Sequence, residues 1–380
     1  MTKLFSAIGL MSGTSMDGID LALIRSDGNK VIERQKFAYV AYEKNFKNSL
    51  SNLIYGKPTI SEIKEVENQF TMLNSEMVNN FISENNIDRK EIDLIAFHGH
   101  TILHNPQNLT TWQIGNSHLL AQQTGIDVIS DFRSKDIVHG GQGAPLVPVY
   151  HLHLFSERTK PKAVLNIGGI SNITSINSDS EFSIEAFDLC FGNAPLDDIM
   201  KKRLGCDFDK NGELARQGKI NYELAKSILQ KEIFSKKPPK AFDRNDFAES
   251  LKQIEELEIR DSLATLAYIH ACAIEMNLQF FSKKPLEILV CGGGRKNSSL
   301  LDALKIQLKG IEVKTVEEVG FNGDAIEAEA FAFLGIRSLL DLPISFYNTT
   351  GVKKPSTHET EDINSFKKHP HSSGGVLFKS

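Results

Sequence analysis

Two stretches of this chain share one layout: a strand-like apolar run, a turn crowded with Gly, Ser, Thr or Asn, then a second strand-like run. The first is "IGLMSGTSMDGIDLALI", Ile8 to Ile24, and the second is "PKAVLNIGGISNITSI", residues 161–176. A hairpin closes in two to five residues. The first stretch instead places eight small or polar residues, Gly13 to Asp20, between its apolar runs. Such a start, made twice, predicts an internal duplication and two α/β domains facing across a cleft. A length of 380 residues also favours two domains over one. The expected limits are 1–150, 151–340 and a polar C-terminal tail at 341–380.

Between the two starts, periodicity predicts helices at about 43–55 and 60–85, a strand at 92–97 ("IDLIAFHGH") and a buried strand in "GIDVISDFR" at 125–133. "GGQGAPLVP" (140–148) is too rich in Gly and Pro to be regular structure. In the second half, "FGNAPLDDIMKKRL" opens a helix, and 249–282 carries Leu, Ile and Ala at helical spacing. "PLEILVCGGGRKNSSLLDALK" is a buried strand, a triple-Gly turn and a helix start, and "DAIEAEAFAFLGIRSLL" is a helix. The tail beyond Pro343 is polar and is expected to be irregular.

Composition removes several function classes. Lys plus Arg is 43 and Asp plus Glu is 48, a net charge of -5, which argues against a general nucleic-acid binder. No run approaches the ~18 apolar residues of a membrane span, and residues 1–12 do not read as a signal peptide. Cys190, Cys206, Cys272 and Cys291 form no CxxC pair, so a reduced, cytoplasmic setting is expected.

Gly-, Ser- and Thr-rich turns leave backbone N–H groups uncovered, and such concavities bind anions, phosphate above all. Asp17 and Asp20 beside a phosphate call for Mg²⁺, which is held by one or two carboxylates plus phosphate oxygens. The bland reading of each turn is a solvent loop; three turns following apolar strands weaken it. None matches GxxxxGK[ST], and no GxGxxG opens a helix after the first strand. "FHGHTILH" sets His98, His100 and His104 close together, so a zinc site is conceivable, but no further His or Cys lies near. The metal ligands stay unknown at this level.

In order along the chain, "GLMSGTSMDGID", "DFRSKDIVHGGQGAPLVP", "LNIGGISNIT", "FDLCFGN", "CGGGRKN" and "DAIEAEAFAFL" resemble the motifs of the anhydro-N-acetylmuramic acid kinase family, from about residue 6 to 340. That family belongs to the actin/hexokinase/Hsp70 superfamily, so the resemblance implies two ribonuclease-H-like domains closing on ATP. It implies a cytoplasmic enzyme of peptidoglycan recycling that converts 1,6-anhydro-N-acetylmuramic acid, ATP and water to N-acetylmuramic acid 6-phosphate and ADP. Its partners would be a small-molecule amino sugar, with no nucleic acid and no membrane, and by analogy a second copy in a homodimer.

The same resemblance distributes roles. Gly13, Thr14, Ser15, Met16, Asp17, Gly18, Ile19 and Asp20 would form the first phosphate loop, Gly168 and Gly169 the second, and Gly292, Gly293 and Gly294 the turn near the adenosine. Asp188 stands where the family's DTGPGN motif carries its catalytic base. A carboxylate can take a proton from the attacking water; the alternative is that Asp188 caps the following helix. Arg133 suits a two-pronged hydrogen bond to the lactyl carboxylate. Glu327 matches a sugar position or is a solvated helix residue, and His98 matches the family's HGQT, with His100 replacing Gln.

The sequence departs from the family pattern in three places, and the loops expected to hold ATP are better preserved than the wall expected to hold the sugar. Leu189, Cys190 and Phe191 replace Thr, Gly and Pro, "PKAFDRND" (239–246) replaces PKSTGRE, and CGGGAHN reads "CGGGRKN". Phe191 is expected to lie flat on an apolar face of the sugar, the alternative being that it obstructs that face. The alternatives left open are a kinase for a related sugar, or a nucleotide-binding regulatory protein without turnover.

Overall fold

The first apolar run cannot be covered by bulky neighbours everywhere, because Gly9 sits at its centre. A Cβ on Gly9 would stand 1.9 Å from the carbonyl oxygen of Ala328. The helix Ile326–Leu339 therefore rests directly on the strand backbone, and its Ala-rich face is what allows the approach. Gly335 repeats the device one end along, where a Cβ would meet Ala96 at 2.7 Å.

This is a computed structural model, and it describes residues 3–13, 15–30, 32–155, 160–353 and 374–380. They divide into two compact units, Met1–Leu154 with Ala325–Ser380, and Phe155–Asp324. The division corrects the expected limit at 340. The helix Ile326–Leu339 belongs to the first unit, because its small residues admit β1 and its Phe331, Phe333, Leu334 and Ile336 are buried there. Each such side chain contributes about 1.5–3 kcal/mol on burial.

In the first unit β1 (Phe5–Ser12), β2 (Gly18–Ser26) and β3 (Ile32–Ala41) form an antiparallel meander. β4 (Leu94–Asn105) pairs parallel to β1, with Ile8 beside Ile95, and β6 (Val128–Ser130) pairs parallel to β4. β5 (Thr110–Ile114) returns antiparallel along the far half of β4. Helices Lys44–Tyr55 and Ile60–Glu84 cover this sheet, the second started by a Thr59/Glu62 capping box.

The second unit repeats the plan. β7 (Lys162–Ile167), β8 (Ile170–Ile176) and β9 (Glu185–Phe191) form an antiparallel meander, and β10 (Glu287–Cys291) and β11 (Glu312–Thr315) continue it in parallel. Strand orders β6-β4-β1-β2-β3 and β11-β10-β7-β8-β9 are the same arrangement twice. Both units are thus α/β, as the duplicated hairpins imply, with the ribonuclease-H-like plan that the family resemblance implies.

Two further expectations change. The single helix expected over 249–282 is broken: Ala248–Leu251 and Lys252–Glu256 are short helical turns, and the long helix begins at Ile259, capped by Glu258, which accepts from the Arg260 N–H at 2.8 Å. The tail is not wholly irregular: Tyr347–Thr350 is helical, and Val376–Phe378 pairs antiparallel with β6. Residues 354–373 lie outside the described residues.

Candidate functional site

The first Gly turn is shorter than its sequence implies. β1 ends at Ser12 and β2 starts at Gly18, so Gly18, Ile19 and Asp20 are strand residues, with Asp20 in register with Met11. Gly18 is required by close packing, since a Cβ there would meet the Val40 carbonyl at 2.3 Å. Ile19 and Met16 are buried in the core of the unit, so neither side chain is available to a ligand. Met16 takes a positive φ of 54° and donates its N–H to Gly13 O at 3.0 Å, closing a tight turn. Gly13 has only Ser15 Oγ at 3.5 Å beside its Cβ position, so its backbone can be approached. Ser15 donates to Asp17 Oδ1 at 2.7 Å, and both are exposed. Thr14 lies outside the described residues.

Behind this turn Ser12 Oγ sits between Tyr42 OH at 2.6 Å and His100 Nδ1 at 2.9 Å. Burial pushes His100 down to about 4, so the brace is neutral near pH 7. His100 is therefore a support of the loop rather than a metal ligand.

His98 and Arg133 come together as the sequence implies. Arg133 donates to His98 Nε2 from Nε at 3.1 Å and from Nη2 at 2.8 Å, and from Nη1 to Gly143 O at 2.7 Å. Those donors occupy the Nε2 lone pair, so Nδ1 carries the proton and donates to Gly99 O at 2.9 Å. Burial, then the Arg133 charge, holds His98 well below the ordinary histidine range. The His98 ring packs 4.4 Å from Phe331, and Glu327, half-buried, is one helical turn before Phe331. Helical spacing thus sets Glu327 on the face of this helix that carries Phe331.

Sequence reasoning missed two acidic residues here. Asp136 is buried; it accepts from Gly143 N and from Thr350 Oγ1, each at 2.6 Å, and a Cβ on Gly141 would meet it at 2.1 Å. "GGQG" is glycine-rich because it wraps this carboxylate. Glu329 is buried and accepts from Tyr150 OH at 2.7 Å, and burial raises its pKa. The spacing of Glu327 and Glu329 in "EAEAF" was the only available signal.

In the second unit three turns converge. Gly192 N donates to Gly169 O at 2.8 Å and Asn193 N to Gly168 O at 2.9 Å, pinning the β7–β8 turn to the end of β9. Gly292 has φ +77°, and a Cβ would meet Asn166 Oδ1 at 2.2 Å; one on Gly294 would meet Ile167 at 2.2 Å. Both positions are filled by packing against Asn166 and Ile167 at the end of β7. A Cβ at Gly168, Gly169 or Gly293 would meet nothing closer than 3.4 Å, so these backbones are not crowded, and a polyphosphate chain can approach a Gly turn of that kind. The Gly168 N–H itself donates to Ile170 O at 3.3 Å. Ser171, just past the turn, is held by buried His270 at 2.9 Å.

Asp188 lies within β9, not at a helix terminus; the helix Ala194–Leu204 starts after Asn193, which rules out the capping role. Its Oδ2 accepts from Phe242 N at 2.9 Å, its own N–H donates to Lys240 O at 3.2 Å, and the residue is 9% exposed. Phe191 requires a correction. It is fully buried, with Phe234, Phe247 and His270 rings 5.8–6.3 Å away. Its side chain belongs to the core of the unit and forms no sugar wall, and Leu189 and Cys190 are equally enclosed.

The three-histidine zinc idea also falls. His98 is engaged by Arg133, His100 by Ser12 and His104 by Thr111 Oγ1 at 3.1 Å. Among the described residues no three His, Cys, Asp or Glu side chains gather as a metal site. No described helix is long and apolar enough to cross a membrane.

Comparison with known proteins places this geometry. A family model described as anhydro-N-acetylmuramic acid kinase matches residues 5–359. The protein of that name from Zymomonas mobilis is 41% identical over 360 residues, 92% of this chain and 98% of its own. That from Rhizobium johnstonii is 41% identical over 369 residues, covering 94% and 98%. Among solved structures, a ROK family glucokinase from Streptomyces griseus, in complex with glucose and AMPPNP, covers 87% of this chain at 12% identity and a TM-score of 0.40.

Proposed function

Since the chain belongs to the anhydro-N-acetylmuramic acid kinase family, we propose that Asp188 is its general base and that its open glycine turns hold ATP. The enzyme opens 1,6-anhydro-N-acetylmuramic acid with water and phosphorylates O6, giving N-acetylmuramic acid 6-phosphate and ADP. The observation that carries the assignment of the base is the double hold on Asp188. A carboxylate on a strand that ends at the pinned Gly168–Gly169 turn is fixed through both its backbone and its side chain.

In this reading Asp188 takes a proton from water as the water oxygen bonds to the anomeric carbon. The bond from that carbon to O6 breaks, and O6 takes the γ-phosphoryl group as ADP leaves. Phosphoryl transfer depends mainly on positioning and charge neutralisation. Gly13, Gly168 and Gly169 let the phosphates approach these turns closely, and Gly293 does the same for the nucleoside. Gly18, Gly292 and Gly294 shape those turns from behind. Asp17 and Asp20 suit Mg²⁺, which is held by one or two carboxylates plus phosphate oxygens. When bound, Mg²⁺ would neutralise charge on the phosphate oxygens. Arg133, oriented by His98, and Glu327 are assigned to the sugar.

Replacement of the family's Thr-Gly-Pro by Leu189-Cys190-Phe191 favours a changed substrate only if those side chains reach it. All three are buried in the core, so the reading with the family's own sugar is preferred. Asp188→Asn tests the base. Turnover should fall by about 10²–10⁴-fold, with the affinity for a non-hydrolysable ATP analogue, measured calorimetrically, within a few-fold of wild type. Turnover near wild type in this variant would remove Asp188 from the role. A panel of anhydro and open sugars, assayed by ADP release, tests the substrate separately.

A further inference from the structure

β6 leads directly into the turn that carries Arg133, and its outer edge is covered by a strand from the far end of the chain. That strand, β12 (Val376–Phe378), lies past residue 359, where the family match ends. Val376 pairs with Ser130, Leu377 with Ile129 and Phe378 with Val128. Side chains fasten its outer end. The Phe378 ring stands edge-on to His118 at 4.6 Å and packs on the apolar core of the unit. Lys379 Nζ reaches Asp127 Oδ2 at 2.5 Å, and Ser380 N donates to Asp127 Oδ1 at 3.0 Å.

The other end reaches the turn itself. Gly375 N donates to Asp131 O at 3.1 Å. Gly375 takes φ +88°, and a Cβ on it would meet Ile129 at 2.6 Å; one on Gly374 would stand 2.8 Å from Phe132 O. Two successive glycines thus let this segment lie against residues 129–132, where side chains would hold it off.

The same backbone directs Arg133. Asp131 has φ +60°, a left-handed conformation that a non-glycine residue keeps only when its surroundings impose it. Two bonds impose it here: Gly375 N to its carbonyl, and Ser134 N to its Oδ1 at 3.3 Å. Arg133 lies between Asp131 and Ser134, and its guanidinium plane is fixed by His98 and by Gly143 O. A two-pronged grip on a carboxylate depends on the direction of that plane.

We propose that residues 374–380 are a positioning strap for Arg133, holding the Asp131 turn so that the guanidinium meets the sugar, and so setting affinity for the sugar rather than for ATP. The inference rests on the assignment of Arg133 to the sugar. A strand that only covered the edge of β6 would instead protect against unfolding and edge-to-edge association, with no preference between the two substrates.

The test compares wild type, a deletion of residues 374–380, Gly375→Pro and Arg133→Ala with ATP and the anhydro sugar, each assayed well below its own thermal transition, with size-exclusion chromatography of each. Arg133→Ala should raise KM for the sugar roughly tenfold or more, as loss of hydrogen bonds from a charged group requires. Gly375→Pro removes the N–H given to Asp131 and cannot take a positive φ. It and the deletion should each raise KM for the sugar about threefold or more, yet less than Arg133→Ala, with KM for ATP within about twofold of wild type. If Arg133→Ala raises KM while the deletion leaves it within about 1.5-fold of wild type, the strap is overturned and the Arg133 assignment stands. An unchanged sugar KM in Arg133→Ala removes Arg133 from the sugar, and this proposal with it. A deletion that raises both KM values alike, or only lowers the melting temperature, also overturns the strap. If the deletion fails to fold, Gly375→Pro decides: a wild-type KM for the sugar overturns the proposal.

Discussion

Phe191→Ala separates a core residue from a substrate wall. The ring is fully buried within the unit Phe155–Asp324, edge-on to Phe234 at 6.3 Å and Phe247 at 5.8 Å. Truncation would remove the apolar surface of a phenyl ring and leave a cavity that those rings fill only in part. Phe→Ala changes of this kind cost about 3–5 kcal/mol. For a unit of this size, each kcal/mol lowers the melting temperature by about 2–4 °C, so a fall of roughly 6–20 °C is expected. Phe191→Leu, which refills most of the volume, should fall by much less. Differential scanning calorimetry on both variants gives the shift, and initial rates well below the new transition give KM for the sugar. KM should stay within about twofold of wild type. A normal transition combined with a sugar KM raised tenfold would refute the burial argument and return Phe191 to the substrate.

The open and filled glycines predict different failures. Gly293→Ala meets no atom closer than 3.9 Å, so it should spare the melting temperature and raise KM for ATP, whereas Gly292→Ala, at φ +77° against Asn166, should destabilise the unit; equal effects from both in a melting and KM series would count against this assignment. His100 and His270 are held down to about 4 and about 3 by burial, below the ordinary 6.5. The unfolded chain thus takes up protons first as pH falls, and their contribution, intact above 6.5, is lost from 6.5 down to those values. For His100 the gap corresponds to roughly 3 kcal/mol as an upper bound. Urea unfolding at pH 7, 5.5 and 4.5 should show this slope, and His270→Gln should flatten it; an unchanged slope would exclude His270 as a source.

Legibility in the sequence followed local chemistry. The duplicated hairpins were readable because apolar runs and Gly turns lie next to each other in the chain, and they anticipated both sheets. His98 and Arg133 were found from their motifs and do meet, with the tautomer of His98 set by the Arg133 donors. What was not legible depends on partners far away. Nothing beside Asp136 reveals that Thr350 will donate to it across 214 positions. Likewise, "PKAFDRND" shows a Lys but not that its ammonium is buried against Asn277.

The helix Ile326–Leu339 shows why a domain limit is harder to read than a strand. Its own sequence fixes only that it is helical and largely buried. Its destination was set by Gly9, more than three hundred positions earlier, where a missing Cβ leaves room for Ala328. Beside its own neighbours Gly9 only interrupts an apolar run, and the small faces of both elements acquire meaning only as a pair. The same logic separates the glycines of the turns. Gly18, Gly192, Gly292 and Gly294 are glycine because protein fills the space beside them, while a Cβ at Gly13, Gly168, Gly169 or Gly293 would meet nothing closer than 3.4 Å. Sequence presents all eight as one class of loop residue. Structure divides them into those crowded by packing and those that are not, and the second group is the one we propose for ATP.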